Sequence, residues 1–244
     1  MGIPERAQQA KKAQIRCSSL SAEKKNTALE AIARALQTHR QRIEQANRED
    51  LQRSRRENLE APLLKRLKFQ GEKIDQASAG VRGVAGQEDP VGVVRSGRLL
   101  DEGLELYQVS CPIGVIGMIF ESRPDALVQM AALSLKSGNA VLLKGGREAL
   151  ETNRVLTEIV SEATELAGIP SGWIQLVESR EDVKKMLELD RQIDLLIPRG
   201  SNQFVRYIMD NTNIPVLGHA EGVTHLYVHY QADMSMAVEL ADDS

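Results

Sequence analysis

From residue 115 onward, short apolar runs alternate with intervals that are long enough to form helices. Continuous apolar runs are typical of parallel strands that helices cover on both faces, and such intervals suit the crossover connections. Gly138 and Gly168 stand where helices commonly end. The pattern predicts an α/β fold with a Rossmann-like parallel sheet. The predicted strands are VIGMIF (115–120), AVLL (140–143), IQLV (174–177), IDLLI (193–197) and HLYVH (225–229), with a shorter one, IPVL, at 214–217.

The first 90 residues show the periodicity of helices. Apolar residues recur at three- and four-residue spacing from Leu29 to Ile43, which predicts one long amphipathic helix over 21–46 with Ser21 as its N-cap. A short helix is expected to begin at Pro62. A further helix is expected over roughly 71–86, where apolar residues again repeat at three and four.

Composition narrows the classes of partner. The chain has 31 basic and 34 acidic side chains and a formal charge of −3, so no overall field favours nucleic acid or an anionic membrane. The basic cluster of Arg53, Arg55 and Arg56 is accordingly interpreted as a solvated helix face. No apolar stretch approaches the roughly 20 residues that span a bilayer, and the first residues lack the apolar segment of a signal peptide. We expect a cytoplasmic protein that binds neither nucleic acid nor a membrane.

After Pro90 the pattern changes to two extended runs around glycine-containing turns. Side chains alternate along LELY (104–107), as in a strand whose two faces differ. We expect an exposed two-stranded arm in this segment. Because the edges of such an arm leave backbone groups unpaired, pairing with a second copy of the chain is a further expectation.

In a parallel α/β sheet, ligands bind beyond the carboxyl ends of the strands. Four runs end in distinctive motifs: ESRPD (121–125), KGGRE (144–148), PRGSN (198–202) and GHAEG (218–222). In KGGRE, two glycines before a helix N-terminus allow backbone amides to approach an anion. Lys144 takes the place where a site for NAD would carry an acid, so it suits a 2′-phosphate, and Arg147 would add to it. The alternative is that Lys144 extends past the sheet edge while the glycines form a tight turn.

The other strand ends leave similar alternatives open. Gly200 and Ser201 fit a second anion site or a wall of a nicotinamide site, but helix capping alone also explains Ser201. Arg123 fits an oxyanion or phosphate ligand, and equally a salt bridge to Glu121 or Asp125.

Histidines and cysteines give weaker signals. On a strand, His225 and His229 would lie about 13 Å apart, too far to share one metal ion, so no metal site is predicted. His219, in a glycine-rich loop, is either a base or orienting group or an ordinary loop histidine. Cys17 and Cys111 lack an electropositive setting and are interpreted as structural.

Taken in chain order, these motifs resemble those of the γ-glutamyl phosphate reductases, a branch of the aldehyde dehydrogenase superfamily. The resemblance is carried by PIGVIGMIFESRPDA, LKSGNAVLLKGGREA, IDLLIPRGSNQFVRYI and IPVLGHAEGVTHLYV, and extends to LLKRL (63–67) and the arm. It implies an aldehyde-dehydrogenase-like fold. Residues 1–90 would be the helical part of the cofactor domain, 91–111 an oligomerisation arm, 112–221 the NADP-binding α/β domain, and 222–244 the start of the catalytic domain.

Enzymes of this family use NADPH to reduce L-glutamyl 5-phosphate to glutamate 5-semialdehyde in proline biosynthesis, after glutamate 5-kinase has made the acyl phosphate. Arg123 falls where the superfamily places an oxyanion-stabilising asparagine, and His219 falls where aldehyde-oxidising members carry a glutamate base. The resemblance implies substrate- or phosphate-binding roles for Ser122, Arg123, Arg199 and Asn202. It implies cofactor-binding roles for Phe120, Lys144, Gly145, Gly146, Arg147, Gly200 and Ser201.

The family's reaction runs through a cysteine that attacks the acyl phosphate and forms a thioester, which hydride then reduces. That cysteine lies in a Cys-Asn-Ala setting beyond the segment that ends here as VELADDS, and neither Cys17 nor Cys111 corresponds to it. We therefore expect this chain to be the N-terminal portion of the enzyme and to be inactive alone. One alternative is a non-catalytic NADP(H)-binding module. Another is a kinase-like protein, which the missing lysine-serine/threonine phosphate loop disfavours.

Overall fold

A computed structural model describes residues 2–218 and 225–242. The helices are α1 Ile3–Cys17, α2 Ala22–Thr38, α3 Arg40–Arg56, α4 Ala61–Leu67, α5 Glu72–Ala85, α6 Pro124–Lys136, α7 Leu150–Leu166, α8 Arg180–Met186, α9 Asn202–Asp210 and α10 Met234–Asp242. The strands are β1 Val94–Asp101, β2 Leu104–Val109, β3 Val115–Ile119, β4 Ala140–Lys144, β5 Ile174–Leu176 and β6 Leu195–Pro198. The alternation of strands and helices after residue 115 confirms the predicted fold class.

The four strands β3 to β6 form one parallel sheet in the order β5-β4-β3-β6. The central strand β3 pairs with a strand on each side, so that Ile119 lies in register with both Lys144 and Pro198. Strand β4 is buried along its whole length, as its continuous apolar run predicted. Gly138 and Gly168 follow α6 and α7 with φ of 70° and 82°, which confirms both as helix-terminating glycines.

Helices cover this sheet and close the core around it. Helix α1 packs on β3, β4 and β5, while α6 and α7 also contact the sheet. Trp173, fully buried before β5, donates its indole N–H to Thr164 Oγ1 of α7 at 2.9 Å. Because each fully buried side chain of Leu or Ile size contributes roughly 1.5–3 kcal/mol, this apolar layer is the main source of stability.

The N-terminal helices agree with the sequence prediction except at one point. Ser21 caps α2 by accepting from Lys24 N, Pro62 lies in the first turn of α4, and α5 occupies the predicted range. The single long helix predicted over 21–46 is wrong. It is broken at His39, whose φ of −97° and ψ of 17° separate α2 from α3. Both helices pack on α7, and the break lets α2 also contact α5 and α6 while α3 contacts α4.

A buried polar cluster anchors the segment that leads into the arm. The Lys25 ammonium lies 2.6 Å from Asp89 Oδ2, with only 1% of the lysine side chain exposed. Lys136 Nζ donates to Asn26 Oδ1 at 2.7 Å and to the carbonyl oxygen of Gln87 at 2.6 Å. These bonds compensate the cost of burying two ammonium groups and fix residues 87–89 against α2 and α6.

The predicted two-stranded arm is confirmed. Strands β1 and β2 pair antiparallel from Val94–Val109 to Asp101–Leu104, and every residue of both strands is exposed. Apolar side chains such as Leu99 and Leu106 are therefore largely exposed to solvent.

The predictions for the last 30 residues are partly wrong. The run 225–229 forms no strand, because an apolar run makes a strand only when a neighbouring strand supplies hydrogen bonds. The run 214–217 contributes one parallel bridge, Leu196–Val216. Residues Met234–Asp242 form α10. The proposed boundary between 221 and 222 lies outside the described residues.

A helix that spans a bilayer must be both long and apolar. None of the helices within residues 2–218 and 225–242 has the length and apolar character of a bilayer span.

Gly114, just before β3, offers a test of this packing. Its φ of 134° disfavours any other residue, and a Cβ there would lie 2.0 Å from Asp194 Oδ2. That carboxylate accepts from Val115 N and from Lys11, so displacing it breaks both contacts. Gly114→Ala should lower the free energy of unfolding by about 2 kcal/mol, as measured by denaturant titration.

Gly83→Ala is the matched control, since Gly83 lies in α5 and a Cβ there meets no atom within 4 Å. It should raise the free energy of unfolding by up to about 1 kcal/mol. Equal stability of Gly114→Ala and the wild type would contradict the packing described for this turn.

Candidate functional site

The carboxyl ends of the four parallel strands meet at one edge of the sheet and surround a cavity. Phe120 N donates to the carbonyl oxygen of Lys144 at 2.9 Å, and Arg199 N donates to that of Ile119 at 2.7 Å. These backbone bonds hold the loops after β3, β4 and β6 side by side. The cavity has a volume of about 1020 Å³, just above the largest volumes usual for small-molecule sites.

Seven of the eleven predicted site residues in the described part of the chain line this cavity: Phe120, Ser122, Lys144, Gly145, Gly146, Arg147 and Arg199. The other four, which are Arg123, Gly200, Ser201 and Asn202, lie next to it in sequence without lining it. The remaining prediction, His219, lies outside the described residues. The strand-end rule therefore located the cavity, and its residue-level assignments stay predictions.

Lys144 is buried at the end of β4, and its ammonium donates to the carbonyl oxygen of Gly145. Burial lowers the pKa of Lys144, the nearby carboxylate of Glu148 opposes that shift, and Arg180 adds to it. The geometry agrees in part with each of the two explanations that the sequence left open for Lys144, a ligand-binding cation or a residue beside a tight glycine turn. Lys144 stabilises the glycine turn through one hydrogen bond and also presents a cation to the cavity.

Glu148 brings a negative charge to the same place. Its Oε1 accepts from Ser122 Oγ at 2.5 Å, which links the loops after β3 and β4. A Cβ on Gly146 would lie 1.8 Å from that oxygen, so only glycine allows the carboxylate this position. Lys144 is thus partly neutralised, and an anionic ligand entering here requires Glu148 to move or to accept from the ligand's hydroxyl groups.

The expectation that the KGGRE loop leads directly into a helix N-terminus is wrong. A 3₁₀ turn over Arg147–Ala149 intervenes, and α7 begins at Leu150. The amides of Glu151 and Thr152 donate to the buried carboxylate of Asp50 from α3, at 3.2 and 2.8 Å. An acid of the chain itself therefore occupies the anion-binding end of α7.

The loop after β5 also belongs to the cavity, although no sequence motif pointed to it. Glu178, Ser179 and Arg180 line the cavity, as does Lys184 one helical turn later. Glu178 forms a two-point ion pair with Arg154, at 2.9 and 2.7 Å, which lowers the pKa of Glu178. Applying the strand-end rule to IQLV, as to its neighbours, would have found this loop.

The walls of the cavity carry an excess of positive charge. Lys144, Arg147, Arg180, Lys184 and Arg199 outnumber the acidic residues Glu121, Glu148 and Glu178. Among the described residues, Arg180, Lys184 and Arg199 form no ion pair, and Arg147 approaches Glu57 only at 3.9 Å. This excess favours an anionic ligand.

Apolar residues form the rest of the wall. Leu59 and Leu63 lie on one side, and Val183, Phe204 and Tyr207 contribute further apolar surface. A cavity that joins cations to apolar and aromatic walls suits a ligand that carries both phosphate groups and a planar ring. Gly145 packs closely against Asn153, because a Cβ at residue 145 would lie 2.1 Å from Asn153 Nδ2.

Arg123 and Ser201 have local partners. Arg123 forms a salt bridge with Asp125 at 2.8 Å, one of the two partners anticipated from the sequence, and this contact raises its pKa. Ser201 caps α9 by accepting from Phe204 N at 3.3 Å. These bonds explain both residues structurally and leave their proposed ligand roles as predictions.

Neither cysteine lines the cavity. Cys17 is buried at the end of α1, where burial raises the pKa of its thiol to about 11. Cys111 is exposed at the base of the arm. A thiolate nucleophile is therefore not supplied to this cavity by either residue.

Comparison with known proteins agrees with this geometry. A family model described as the aldehyde dehydrogenase family matches residues 3–244. A curated γ-glutamyl phosphate reductase of Pelotomaculum thermopropionicum is 59% identical over the whole chain, which covers 56% of that protein. The chain thus spans a little over half the length of such relatives.

Solved structures give the same result. The crystal structure of the γ-glutamyl phosphate reductase from Thermotoga maritima matches with a TM-score of 0.91 and 34% identity, over 98% of this chain and 58% of that one. The structure of the Saccharomyces cerevisiae enzyme of that name matches with a TM-score of 0.84 and 44% identity, over 91% and 57%.

Lys144→Met should leave the free energy of unfolding unchanged or raise it, because the substitution removes a buried charge. Since burial lowers the folded-state pKa, the unfolded chain binds more protons between that value and the ordinary value of 10.5. Wild-type stability should therefore gain from this lysine as the pH rises through that window, and Lys144→Met should lack the gain.

Denaturant titrations near neutral pH and at about pH 10 measure this difference. Lys12→Met, on the exposed face of α1, is the control and should keep the wild-type profile. A clear loss of stability in Lys144→Met at both pH values would contradict the cost assigned to burying this ammonium.

Proposed function

The chain belongs to the aldehyde dehydrogenase family, and we propose that it forms the cofactor-binding part of an NADPH-dependent γ-glutamyl phosphate reductase. Family membership implies a nicotinamide cofactor. The observation that carries the proposal is the cation-rich cavity at the carboxyl edge of the sheet, with two glycines in its wall. The complete protein would reduce L-glutamyl 5-phosphate to glutamate 5-semialdehyde and release phosphate, a step of proline biosynthesis.

The cavity residues divide between the two halves of the cofactor. Lys144, Gly145 and Gly146 would hold the adenosine half, where the absence of side chains lets the ligand approach the backbone. The 2′-phosphate that distinguishes NADPH from NADH would be bound by Lys144, Arg147 and Arg180. Phe120, with Gly200 and Ser201 nearby, would complete the cofactor cleft.

The chemistry of the substrate requires a second set of groups. When bound, the nicotinamide would supply the hydride. Ser122 and Arg199 lie in the cavity wall, and Arg123 and Asn202 lie beside it; these four would orient the acyl phosphate and stabilise the charge on its oxygens. Excluding water there prevents hydrolysis of the reactive acyl group. His219 is proposed to support this step as a base or orienting group.

Two measurements test this function. Fluorescence titration of the purified 244-residue chain should show saturable binding of NADPH. Reduction of NADP⁺ with glutamate 5-semialdehyde and phosphate should not be detected, because neither cysteine lines the cavity. Turnover by this chain would contradict the inactivity proposed for it, and failure to bind NADPH would remove the cofactor proposal.

The position of the cysteines favours one alternative. A non-catalytic NADP(H)-binding module has the same cavity and needs no nucleophile. A longer protein that contains this chain and reduces NADP⁺ in the same assay would exclude that alternative.

Arg180→Met should discriminate the two cofactors. Removing one cation from a site for the 2′-phosphate should weaken NADPH binding about tenfold and leave NADH binding nearly unchanged. Arg191→Met is the matched control, since Arg191 is exposed and does not line the cavity. Equal weakening for NADPH and NADH would show that Arg180 does not contact the 2′-phosphate.

Partners and location follow from the same proposal. Because an acyl phosphate hydrolyses readily in water, we propose that glutamate 5-kinase supplies it close to the enzyme, and that both proteins work in the cytoplasm. The arm β1–β2 is proposed to join two copies of the chain, since its exposed apolar side chains and open edges fit a self-complementary interface.

The oligomeric state tests the role of the arm. Leu99 and Leu106 are 71% and 54% exposed, so replacing both by Lys should not disturb the core. The wild type should be an oligomer by light scattering coupled to gel filtration, and Leu99→Lys/Leu106→Lys should be a monomer. Leu166→Lys, 91% exposed at the end of α7, is the control and should remain oligomeric. A monomeric wild type would contradict the proposal.

A further inference from the structure

We propose that Asp50 and Arg53 of α3 act together as positioning residues for the loop 145–149 of the cofactor cavity. The inference rests on the proposed function of that cavity. Neither residue lines the cavity, and no other residue of α3 does so. Any effect on a ligand must therefore act through the loop that these two side chains hold.

Asp50 fixes the point at which the loop becomes α7. Its side chain is fully buried, and its Oδ2 accepts from Thr152 N at 2.8 Å and from Thr152 Oγ1 at 2.7 Å. Its Oδ1 accepts from Glu151 N at 3.2 Å. A carboxylate at the N-terminus of a helix interacts favourably with the helix dipole, which stabilises the start of α7 at this position.

Arg53 fixes the middle of the loop from the same helix face. Its Nη2 is paired with Asp50 and also donates to the carbonyl oxygens of Arg147 and Glu148, each at 3.3 Å. These two carbonyls belong to the turn that carries Arg147 and Glu148 into the cavity wall. One guanidinium nitrogen thus connects α3 to the turn.

The two charges depend on each other. The carboxylate of Asp50 is buried, and Arg53 is the cation that pairs with it. Removing either partner leaves a polar group in the protein without its main compensation, and the loop loses its contacts with α3. Gly146, Arg147 and Glu148 line the cavity, whereas Asp50 and Arg53, the side chains that hold this loop, do not.

The contacts of Arg53 distinguish it from the other two arginines of the basic cluster. Arg53, Arg55 and Arg56 were interpreted together as a solvated helix face. Arg55 and Arg56 are exposed, in agreement with that interpretation, but Arg53 is half-buried and bonded to the loop. The spacing of Asp50 and Arg53, three residues apart on α3, places both on the face that meets the loop.

Arg53→Met, Arg53→Lys and Arg56→Met test the proposal in the 244-residue chain. Arg53→Met should weaken NADPH binding about tenfold, which is the loss of about one charge-assisted contact. Amide hydrogen exchange measured without ligand should increase in the peptide that covers 144–152 and stay unchanged elsewhere. Arg53→Lys should recover part of the affinity, because a lysine ammonium also donates to carbonyl oxygens. Arg56→Met should match the wild type in both measurements.

Two results would overturn the inference. One is an Arg53→Met chain whose NADPH affinity lies within about twofold of the wild type. The other is a rise in exchange spread over the whole chain, which indicates general destabilisation. If Arg53→Met does not fold, Arg53→Lys decides: it must combine near-normal melting with weaker binding and faster local exchange. A wild type that fails to bind NADPH refutes the proposed function, while the exchange measurement still tests the contact with the loop.

Discussion

The parallel pairing of β3 with a strand on each side is the constraint on which the rest of this structure depends. Because β4 and β6 both pair with β3, the residues that follow the three strands emerge at one edge. The bonds from Phe120 N to Lys144 O and from Arg199 N to Ile119 O continue this pairing past the strands. These backbone hydrogen bonds hold the loops after β3, β4 and β6 next to one another, and the cavity lies between them.

The charged residues of the cavity fall into two groups, those with hydrogen-bond partners in the wall and those exposed to solvent. Lys144 and Glu148 are held by neighbouring groups in the wall, through Gly145 O and Ser122 Oγ. Arg180, Lys184 and Arg199 are exposed and form no ion pair within the part of the chain that the structure describes, so they are available to a ligand. The exposed cations attract an anionic group. The buried Lys144 lies near the carboxylate of Glu148, so the cavity avoids the high cost of a buried, unpaired charge.

Three sequence predictions failed for reasons that local patterns do not contain. The break at His39 preserves the apolar spacing on both sides, so periodicity does not reveal it. Residues 225–229 contain an apolar run like those of the buried strands, but a strand requires a hydrogen-bonded neighbour. The amides at the start of α7 are satisfied by Asp50, which lies about 100 residues earlier in the chain and was not associated with the glycine loop.

The sequence by itself determined the alternation of strands and helices from residue 115 to residue 198, the exposed arm and the glycine loop. Those features follow from periodicity, glycine positions and the rule that ligands bind at strand ends, all of which are local or general. Only the tertiary structure decided which charges are free. It paired Glu178 with Arg154, placed Glu148 beside Lys144 and brought Asp50 to α7, because contacts between distant segments depend on packing rather than on spacing along the chain.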